Sequence, residues 1–405
     1  MIKIEEISKI GLGTYRMSSD NEEYIEVIKY AIDCGINLID TAVGYGYGKS
    51  ELLIGQSIDS ETRNSIFIVS KTGYSNEEEV AEFNQKDSNL ITLDENTLFS
   101  NSPDFISFQL EKSLRRLNTN YIDCYLLHNP EYYFEKNFSA EELTVIIFDS
   151  FKLLEEKVKD GKLRYYGISS NNFSKIPLKA ILNNLPIFPN FKFLQFPYNI
   201  VERNASFLFD NENSITIDQL KKMGFFILTN RPLNTILNGK LLRLADTDIN
   251  DVKSLEYEEE VIFHDLLQKI QNSLSKMDED PKIEEYYPIQ FFVENRKNMP
   301  DITTINLAVN DYLYPFLSAI NLVDENTINV LNNLKNYWHV FSLYDNQERL
   351  NNLKVFLDSQ GIIDKNYKGN FSSYLAGLYL ENSGINSVLM GLREKKYVDS
   401  VKYLL

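Results

Sequence analysis

Short apolar runs alternate with amphipathic helical patterns along most of the chain. The run NLIDTA at residues 37–42 is apolar on both faces and too short for a helix, which is typical of a buried parallel strand. Before it, Ile25, Ile28 and Ile32 recur at helical spacing, and Gly35 marks the end of that helix. With the run IGLGT further upstream, the chain therefore opens with a strand, a helix and a second strand.

Capping residues mark where the predicted helices begin. Ser18–Asp20 offer N-caps for the first helix, and Ser102 followed by Pro103 predicts the start of another. Ser139 and Glu142 have the spacing of a capping box ahead of an apolar helix. These signals place helices between the apolar runs.

The same unit recurs until eight strands can be counted. Beyond IGLGT and NLIDTA, the strand runs are FIVSKTG, IDCYLLHNP, LRYYGIS, FKFLQFPYN, GFFILTNRPL and INSVLMGL. Strands that alternate with helices indicate a parallel sheet, and eight units favour a closed barrel with its site at the C-terminal strand ends. A doubly wound open sheet is the alternative.

Two stretches interrupt this alternation, at about residues 74–102 and 247–366. Without them about 255 residues remain, the size of one barrel of this type. We therefore predict a single (β/α)8 TIM-barrel domain over residues 1–405, with a smaller insertion after strand 3 and a large helical one after strand 7. Ile262, Leu266 and Ile270, four residues apart, indicate helices in the large insertion. We expect it to wall the catalytic face; a peripheral decoration is the alternative.

Charge and cysteine content narrow the class of partner. The 405 residues include 41 basic and 58 acidic side chains, a formal net charge of −17, which argues against broad binding to nucleic acid or anionic lipid. Two cysteines do not make a disulfide framework, and the N-terminus lacks a signal-peptide pattern. No apolar run approaches the roughly 18 residues of a membrane span. We expect a cytoplasmic protein with a small-molecule partner.

Four polar residues stand where the predicted strands end. Asp40 ends the second strand, Tyr45 lies in the loop after it, Lys71 ends the third strand and His128 the fourth. In a barrel these positions point to one mouth. Taken singly, each has a plain structural explanation: a helix cap, a solvated charge or a core histidine. Together, at one barrel mouth, the four residues indicate a catalytic site.

The chain resembles the aldo-keto reductase family. The motifs that carry the resemblance are IGLGTY, INLIDTAVGYGYGKSELLIG, IVSKTG, LEKSLRRLNTNYIDCYLLHNPE, GKLRYYGISSNNF, LQFPYN, RPLNTILNGKLLRLAD and SVLMGLREKKYV. They cover the chain outside the two insertions. The resemblance implies a (β/α)8 barrel that binds an extended nicotinamide cofactor, NADPH or NADH, without a Rossmann motif.

The resemblance also implies catalytic roles that suit the chemistry. Carbonyl reduction needs an acid, and a tyrosine of ordinary pKa near 10 is a poor one unless a positive charge stabilises its phenolate. Tyr45 is then the acid, Lys71 supplies the charge and Asp40 holds the lysine. His128 would hydrogen-bond the substrate oxygen. Tyr47 lies nearby, and the family spacing selects Tyr45.

Cofactor and substrate residues follow by resemblance in the same way. Asn230 stands where relatives have an aromatic residue that stacks on the nicotinamide, and Ser170 and Asn171 are alternatives for one role. Arg393 is a candidate for a ribose 2′-phosphate; a solvated helix start is the alternative. The cofactor candidates are Gly13, Thr14, Ser169, Ser170, Asn171, Gln195, Arg231, Gly391 and Arg393, and the substrate candidates are Tyr74 and Asn129.

The sequence thus favours an NAD(P)H-dependent oxidoreductase that reduces an aldehyde or ketone. One alternative is a barrel that keeps the cofactor as a redox-sensing or regulatory subunit. Another is a lyase or isomerase that uses Lys71 as a Schiff base, which needs a lysine without a carboxylate partner. Three histidines and two cysteines are widely dispersed, so we expect no metal site.

Overall fold

Eight parallel strands close into a barrel. The computed structural model describes residues 1–203, 206–208, 214–237, 239–247, 249, 252–276, 287–364, 366–367, 369–382 and 384–405. The barrel strands are Ile10–Gly13 (β1), Leu38–Asp40 (β2), Phe67–Thr72 (β3), Ile122–His128 (β4), Leu163–Ser169 (β5), Phe191–Pro197 (β6), Phe226–Asn230 (β7) and Ser387–Met390 (β8). Each strand pairs with two neighbours and β1 pairs with β8, which confirms the predicted barrel. The doubly wound alternative, which needs an open sheet, is wrong.

Helices connect most of the strands. Those of the barrel are Glu23–Asp33, Lys49–Ser57, Ser60–Ser65, Pro103–Arg116, Tyr132–Glu135, Ala140–Lys159, Leu178–Asn183, Ile217–Lys222, Phe371–Leu380 and Lys395–Val401. Short 3-10 turns occupy Ile4–Glu6, Phe173–Lys175, Leu185–Ile187 and Lys402–Leu404, and a two-stranded ribbon pairs Ser206–Leu208 with Ser214–Thr216.

The structure confirms two of the three predicted helix starts. Ser102 accepts a hydrogen bond from the backbone of Phe105, and Ser139 and Glu142 form both bonds of a capping box. The prediction for Ser18–Asp20 is wrong, because the first helix begins at Glu23 without a side-chain cap. The carboxylate of Asp20 instead accepts hydrogen bonds from the hydroxyl of Ser18 and from the ammonium group of Lys49, the latter at 2.8 Å.

The barrel interior is filled by side chains. Phe67 and Phe193 stack with ring centroids 5.3 Å apart, within a buried cluster that also holds Leu126 and Leu228. Ile2, from the N-terminal segment, belongs to the same cluster. A filled interior leaves the strand ends as the place where a TIM barrel can build a site.

Gly167 sets the contact between β5 and β6. A Cβ at this position would overlap the carbonyl group of Phe193, so only glycine allows the two backbones to approach as they do. The strand register shifts at the same point, between Tyr166 and Gly167. This shift places Ser169, at the end of β5, opposite Gln195 of β6.

A buried carboxylate ties the strands together at the amino end of the barrel. Asp123, near the start of β4, accepts hydrogen bonds from Arg63 at 2.7 Å and from Arg164 at 2.6 Å. It also accepts the backbone N–H of Ile68, at the start of β3. Arg164 in turn donates to the carbonyl of Ile2. The network lies at the opposite end of β4 from His128.

We expect Asp123→Ala to lower the free energy of unfolding by about 3–5 kcal/mol, because it leaves buried arginine charge without its partner. Urea denaturation measures this, and turnover per folded molecule should not change. Asp149→Ala is the control, since the one ion pair of Asp149 among the described residues joins it to Lys152 at the exposed surface. This variant should lose about 0–1 kcal/mol. Equal losses in the two variants would show that Asp123 has no special structural role.

The smaller insertion follows β3, as predicted. It contains the strands Tyr74–Ser75, Ile91–Thr92 and Leu98–Phe99, which form an antiparallel sheet, and the helix Glu77–Phe83. Gln109, in the helix that precedes β4, accepts from the hydroxyl of Thr72 and donates to the carbonyl of Tyr74. These bonds fix the first turn of the insertion to the end of β3.

The chain divides into two compact units, Met1–Leu233 with Ser373–Leu405, and Asn234–Ser372. The second is wider than the predicted insertion at 247–366, parts of which lie outside the described residues. It holds a hairpin, Asn234–Leu237 with Lys240–Arg243, and the helices Lys253–Leu274, Tyr287–Asn295, Ile302–Ala308, Tyr314–Ala319 and Glu325–Ser359, with a π-helical turn at Val309–Leu313 and a 3-10 turn at Arg296–Asn298.

The second unit has its own hydrophobic core. Leu266 and Ile270 are buried in it, and Ile262 and Leu274 pack against it, which confirms the predicted helix face. The lone tryptophan, Trp338, is fully buried there. The helices of this unit therefore form a packed structure rather than a linker.

Candidate active site

The strand register brings the predicted catalytic residues to one end of the barrel. Asp40 is the last residue of β2 and His128 the last of β4, while Lys71 is the next to last of β3. His128 lies opposite Ser169, and Ser169 lies opposite Gln195. Because the carboxyl ends of parallel barrel strands share one rim, all five side chains lie on the same face.

Lys71 is the centre of this cluster. Its side chain is fully buried, and Nζ donates to Asp40 Oδ2 at 2.8 Å, to the carbonyl of Thr41 at 2.8 Å and to the hydroxyl of Tyr45 at 2.9 Å. Three acceptors use all three protons of an ammonium group. Burial lowers the pKa of Lys71, and the charge of Asp40 opposes that shift. The lysine is arranged as a fixed positive charge rather than as a nucleophile.

Asp40 links the lysine to two further strands. Its second oxygen, Oδ1, accepts a hydrogen bond from Gln195 Nε2 at 2.7 Å. The hydroxyl of Ser169 then donates to Gln195 Oε1 at 2.9 Å. Both carboxylate oxygens are therefore satisfied, which offsets much of the penalty for burying this ion pair.

Tyr45 lies in the loop between β2 and the helix that begins at Lys49. Its half-buried ring packs edge to face against Tyr15 and His128, with centroids 5.1 and 6.1 Å away. Burial, and then the charge of Asp40, raise the pKa of Tyr45 well above its ordinary value. The phenol therefore keeps its proton at neutral pH while its oxygen accepts the hydrogen bond from Lys71.

His128 is neutral in this setting. Burial lowers its pKa well below the ordinary value, and the charge of Lys71 lowers it further. Nδ1 is buried and has no hydrogen-bond partner in the part of the chain that the structure describes. We assign the proton to Nε2, because an unpaired buried acceptor is more easily tolerated than an unpaired N–H. His128 can then donate a hydrogen bond without carrying charge.

The two predicted substrate residues lie beside His128. The ring of Tyr74 packs edge to face on the imidazole at 4.8 Å. Asn129 Nδ2 donates to the hydroxyl of Tyr74, which donates to the hydroxyl of Tyr132, each at 2.8 Å. Asn129 has a φ of 54°, a left-handed conformation that asparagine tolerates. The wall of the site next to His128 is thus aromatic with a polar edge.

The loop after β5 carries two cofactor candidates and meets a third. Ser170 is buried and its backbone N–H donates to the carbonyl of Gln195. Asn171 is exposed, and its side-chain oxygen accepts from Arg231 Nη2 at 2.6 Å. Arg231 follows β7, so this bond connects the ends of two strands that are not neighbours in the barrel.

The remaining cofactor candidates lie around the same rim. Thr14 is buried, and its N–H and hydroxyl both donate to the carbonyl of Asp40. Gly13 ends β1, which pairs with β8, and Gly391 comes directly after β8. Arg393 is half-exposed, two residues further on, and no described hydrogen bond joins it to the catalytic cluster. Tyr47 is 52% exposed, and its hydroxyl lies 3.5 Å from the carbonyl oxygen of Asn96.

Sequence reasoning missed Glu131 and Tyr132. Glu131 is 2% exposed, and its carboxylate accepts the backbone N–H groups of Asn171 and Asn172. It stands three residues after His128 in the motif HNPE, the one signal that marked it. Its partners lie 40 residues away, and no spacing rule could have found them.

Within the described residues, no group of three or more His, Cys, Asp or Glu side chains is placed to hold a metal ion. The cluster instead combines a protonated phenol, a fixed ammonium and a neutral imidazole. These groups can give a proton to a carbonyl oxygen and align it. None of the helices described is both long and apolar enough to cross a membrane.

Comparisons with known proteins identify the family of the chain. A model of the aldo/keto reductase family matches residues 9–278. The aldo-keto reductase YhdN of Bacillus subtilis (strain 168) is 31% identical over 206 residues, 49% of this chain and 52% of that protein. The NADH-specific methylglyoxal reductase of Escherichia coli (strain K12) is 29% identical over 206 residues, 49% of this chain and 57% of that protein. The matches thus span little more than half the length of these relatives.

A solved structure supports the fold over a longer span. The glycerol dehydrogenase from Gluconobacter oxydans superposes with a TM-score of 0.50, covering 98% of this chain and 86% of that one. Its sequence is 17% identical, so the likeness speaks for the fold alone.

Proposed function

The chain belongs to the aldo/keto reductase family, and from this we propose that it reduces the carbonyl group of an aldehyde or ketone with NADPH or NADH. One observation carries the proposal: Lys71 Nζ contacts both Asp40 and the hydroxyl of Tyr45. An acid of raised pKa can serve catalysis only if its conjugate base is stabilised at the moment the proton leaves. The buried ammonium is in place to do this.

Tyr45, Lys71 and His128 each have a distinct part in the proposed reaction. A bound nicotinamide would supply the hydride to the carbonyl carbon. Tyr45 gives its proton to the carbonyl oxygen, and the hydrogen bond from Lys71 then stabilises the phenolate. His128 donates from Nε2 to the same oxygen and aligns it, and its neutral state avoids competition for the proton. In the oxidative direction Tyr45 acts as the base.

The rim residues fit a nicotinamide. Asn230 Oδ1 is buried without a hydrogen-bond partner among the described residues, and Asn230 Nδ2 approaches Gln195 Oε1 at 3.4 Å. A carboxamide N–H group would satisfy this oxygen, a role that an aromatic residue at this position could not take. The residues that would hold the cofactor are Gly13, Thr14, Ser169, Ser170, Asn171, Gln195, Arg231, Gly391 and Arg393.

NADPH should bind in the presence of a chelator, because the proposed site uses no metal. Fluorescence titration measures the two dissociation constants, and we expect NADPH to be favoured over NADH by less than about tenfold, or 1.4 kcal/mol, since Arg393 is the main candidate for the 2′-phosphate. Arg393→Ala should remove that preference and leave NADH affinity unchanged. Failure to bind either dinucleotide would contradict the oxidoreductase assignment.

The two other functions differ from this one in measurable ways. A redox-sensing barrel would bind the cofactor and show no turnover with a panel of aldehydes and ketones. A Schiff-base enzyme would need a free amine, and the three acceptors around Lys71 argue against it. We also propose that Tyr74 and Asn129 contact the substrate, since they border His128.

We place the protein in the cytoplasm as part of the same proposal. Cys34 and Cys124 are both free thiols, and Cys124 is buried in the barrel. Free thiols suit a reducing compartment, where NADPH and NADH are also found.

A further inference from the structure

Glu131 is a buried carboxylate that the proposed chemistry does not use. It lies on the turn after β4 and is 2% exposed, and it forms no ion pair with any residue that the structure describes. Burial raises the pKa of Glu131, and hydrogen bonds from nearby backbone N–H groups and from the side chain of Ser170 oppose that shift. Burying a carboxylate costs free energy unless hydrogen bonds replace those that it loses with water.

What the carboxylate binds is the loop after β5. Glu131 Oε1 accepts the backbone N–H of Asn171 at 2.8 Å and that of Asn172 at 3.3 Å. The N–H of Asn172 also approaches Ser170 Oγ at 3.0 Å, and the N–H of Ser170 donates to Gln195. Oε1 of Glu131 therefore holds the backbone of Asn171 and Asn172, and Gln195 holds that of Ser170. Ser170 and Asn171 are cofactor candidates.

The opposite side of this loop has a weaker attachment. Arg231 Nη2 donates to the side chain of Asn171, and both residues are exposed. An exposed side-chain bond is easily exchanged for a contact with a ligand phosphate, whereas a buried backbone anchor is not. The bonds to Glu131 thus hold the loop backbone in place, whereas the bond to Arg231 can be exchanged when a ligand binds.

We propose that Glu131 is a positioning residue for the dinucleotide: it holds the loop Ser170–Asn172 in the conformation that receives the cofactor. This inference rests on the proposed function, because it assigns the loop to cofactor binding. Glu131 itself acts through the loop backbone. Its second oxygen, Oε2, has no hydrogen-bond partner in the described part of the chain, so the tether needs only one acceptor oxygen.

The test compares Glu131→Ala with Glu131→Gln. Alanine removes both backbone bonds, and we expect the dissociation constant of NADPH to rise about tenfold or more. Glutamine keeps a carbonyl oxygen at the position of Oε1, so its dissociation constant should stay within about threefold of wild type. At saturating NADPH, kcat of both variants should also stay within about threefold, so the effect appears in KM for the cofactor.

Glu155→Ala is the matched control. Glu155 is 9% exposed and accepts the backbone N–H of Asn190 at 2.9 Å, just before β6 and at the other end of the barrel. It should lower thermal stability without changing NADPH affinity. An equal loss of affinity in Glu131→Ala and Glu155→Ala would overturn the proposal, as would wild-type affinity in Glu131→Ala. Equal impairment by alanine and glutamine would show that charge, not the tether, matters.

Hydrogen exchange separates this inference from the proposed function. Without cofactor, amides of residues 171 and 172 should exchange faster in Glu131→Ala than in wild type, and Glu155→Ala should leave them unchanged. Faster exchange with unchanged NADPH affinity would show that Glu131 holds the loop but would overturn its role in cofactor binding. If the wild-type protein bound neither dinucleotide, the proposed function would fall and the positioning role with it.

Discussion

Tyr45→Phe should reduce carbonyl turnover by about 10²-fold or more while NADPH affinity persists. The substitution removes the only proton that Tyr45 can give and keeps the ring that packs against Tyr15 and His128. The loss should therefore appear in kcat rather than in the cofactor dissociation constant. Steady-state kinetics with a reactive aldehyde, together with a fluorescence titration, measure the two quantities.

Tyr47→Phe is the natural control for this prediction. Tyr47 lies two residues away in the same loop, and its exposed hydroxyl is 3.5 Å from the carbonyl of Asn96. We expect its kcat to equal that of wild type. If Tyr47→Phe were the inactive variant, the assignment of the acid within this loop would be wrong; if both were fully active, the proton would come from another group.

Lys71→Met should damage both stability and turnover. It leaves the charge of Asp40 buried beside Gln195 alone, and breaking a buried pair in this way lowers the free energy of unfolding by about 3–5 kcal/mol. It also removes the charge that stabilises the Tyr45 phenolate, so turnover should fall by about 10²-fold or more. Urea denaturation and kinetics of the folded fraction measure the two effects.

The double variant Asp40→Asn with Lys71→Met separates these effects. It replaces the ion pair by neutral groups, so most of the lost stability should return, because a buried pair is rarely better than a well-packed neutral substitute. Turnover should not return. Recovery of turnover in the double variant would show that the ammonium is not needed for the chemistry, and unchanged stability in Lys71→Met would show that the pair is not coupled.

The barrel could be predicted because its signal is local. Each strand is a short apolar run bounded by glycine or a cap, and eight such runs with helices between them have few other arrangements. The catalytic candidates followed, since a polar residue at the end of such a run is placed by the topology. Lys71 is an example: its position at the end of β3 is enough to bring it to the rim.

Features that depend on distant partners were not predictable. Asp20 looked like a helix cap, yet Lys49 from the next helix occupies it. Nothing in the sequence around Glu131 indicates its partners, yet the residue is buried and accepts a hydrogen bond from a loop 40 residues further along. In both cases tertiary contacts, not the local sequence, decide the role of the side chain.

The origin of Tyr74 has a practical consequence for protein engineering. Asp40, Lys71 and His128 lie on the barrel strands β2, β3 and β4, and Tyr45 lies in the short loop after β2. Tyr74, by contrast, is the first residue of the three-stranded sheet that follows β3. That sheet is joined to the barrel through Gln109, which bonds Thr72 on one side and Tyr74 on the other. A library that varies the side chain of Tyr74 and residues 75–98 keeps both attachments, because Gln109 bonds the backbone carbonyl of Tyr74. Such a library would vary the proposed substrate contact while the reaction machinery stays constant. The sheet can in this way be varied independently of the barrel strands that carry the catalytic candidates.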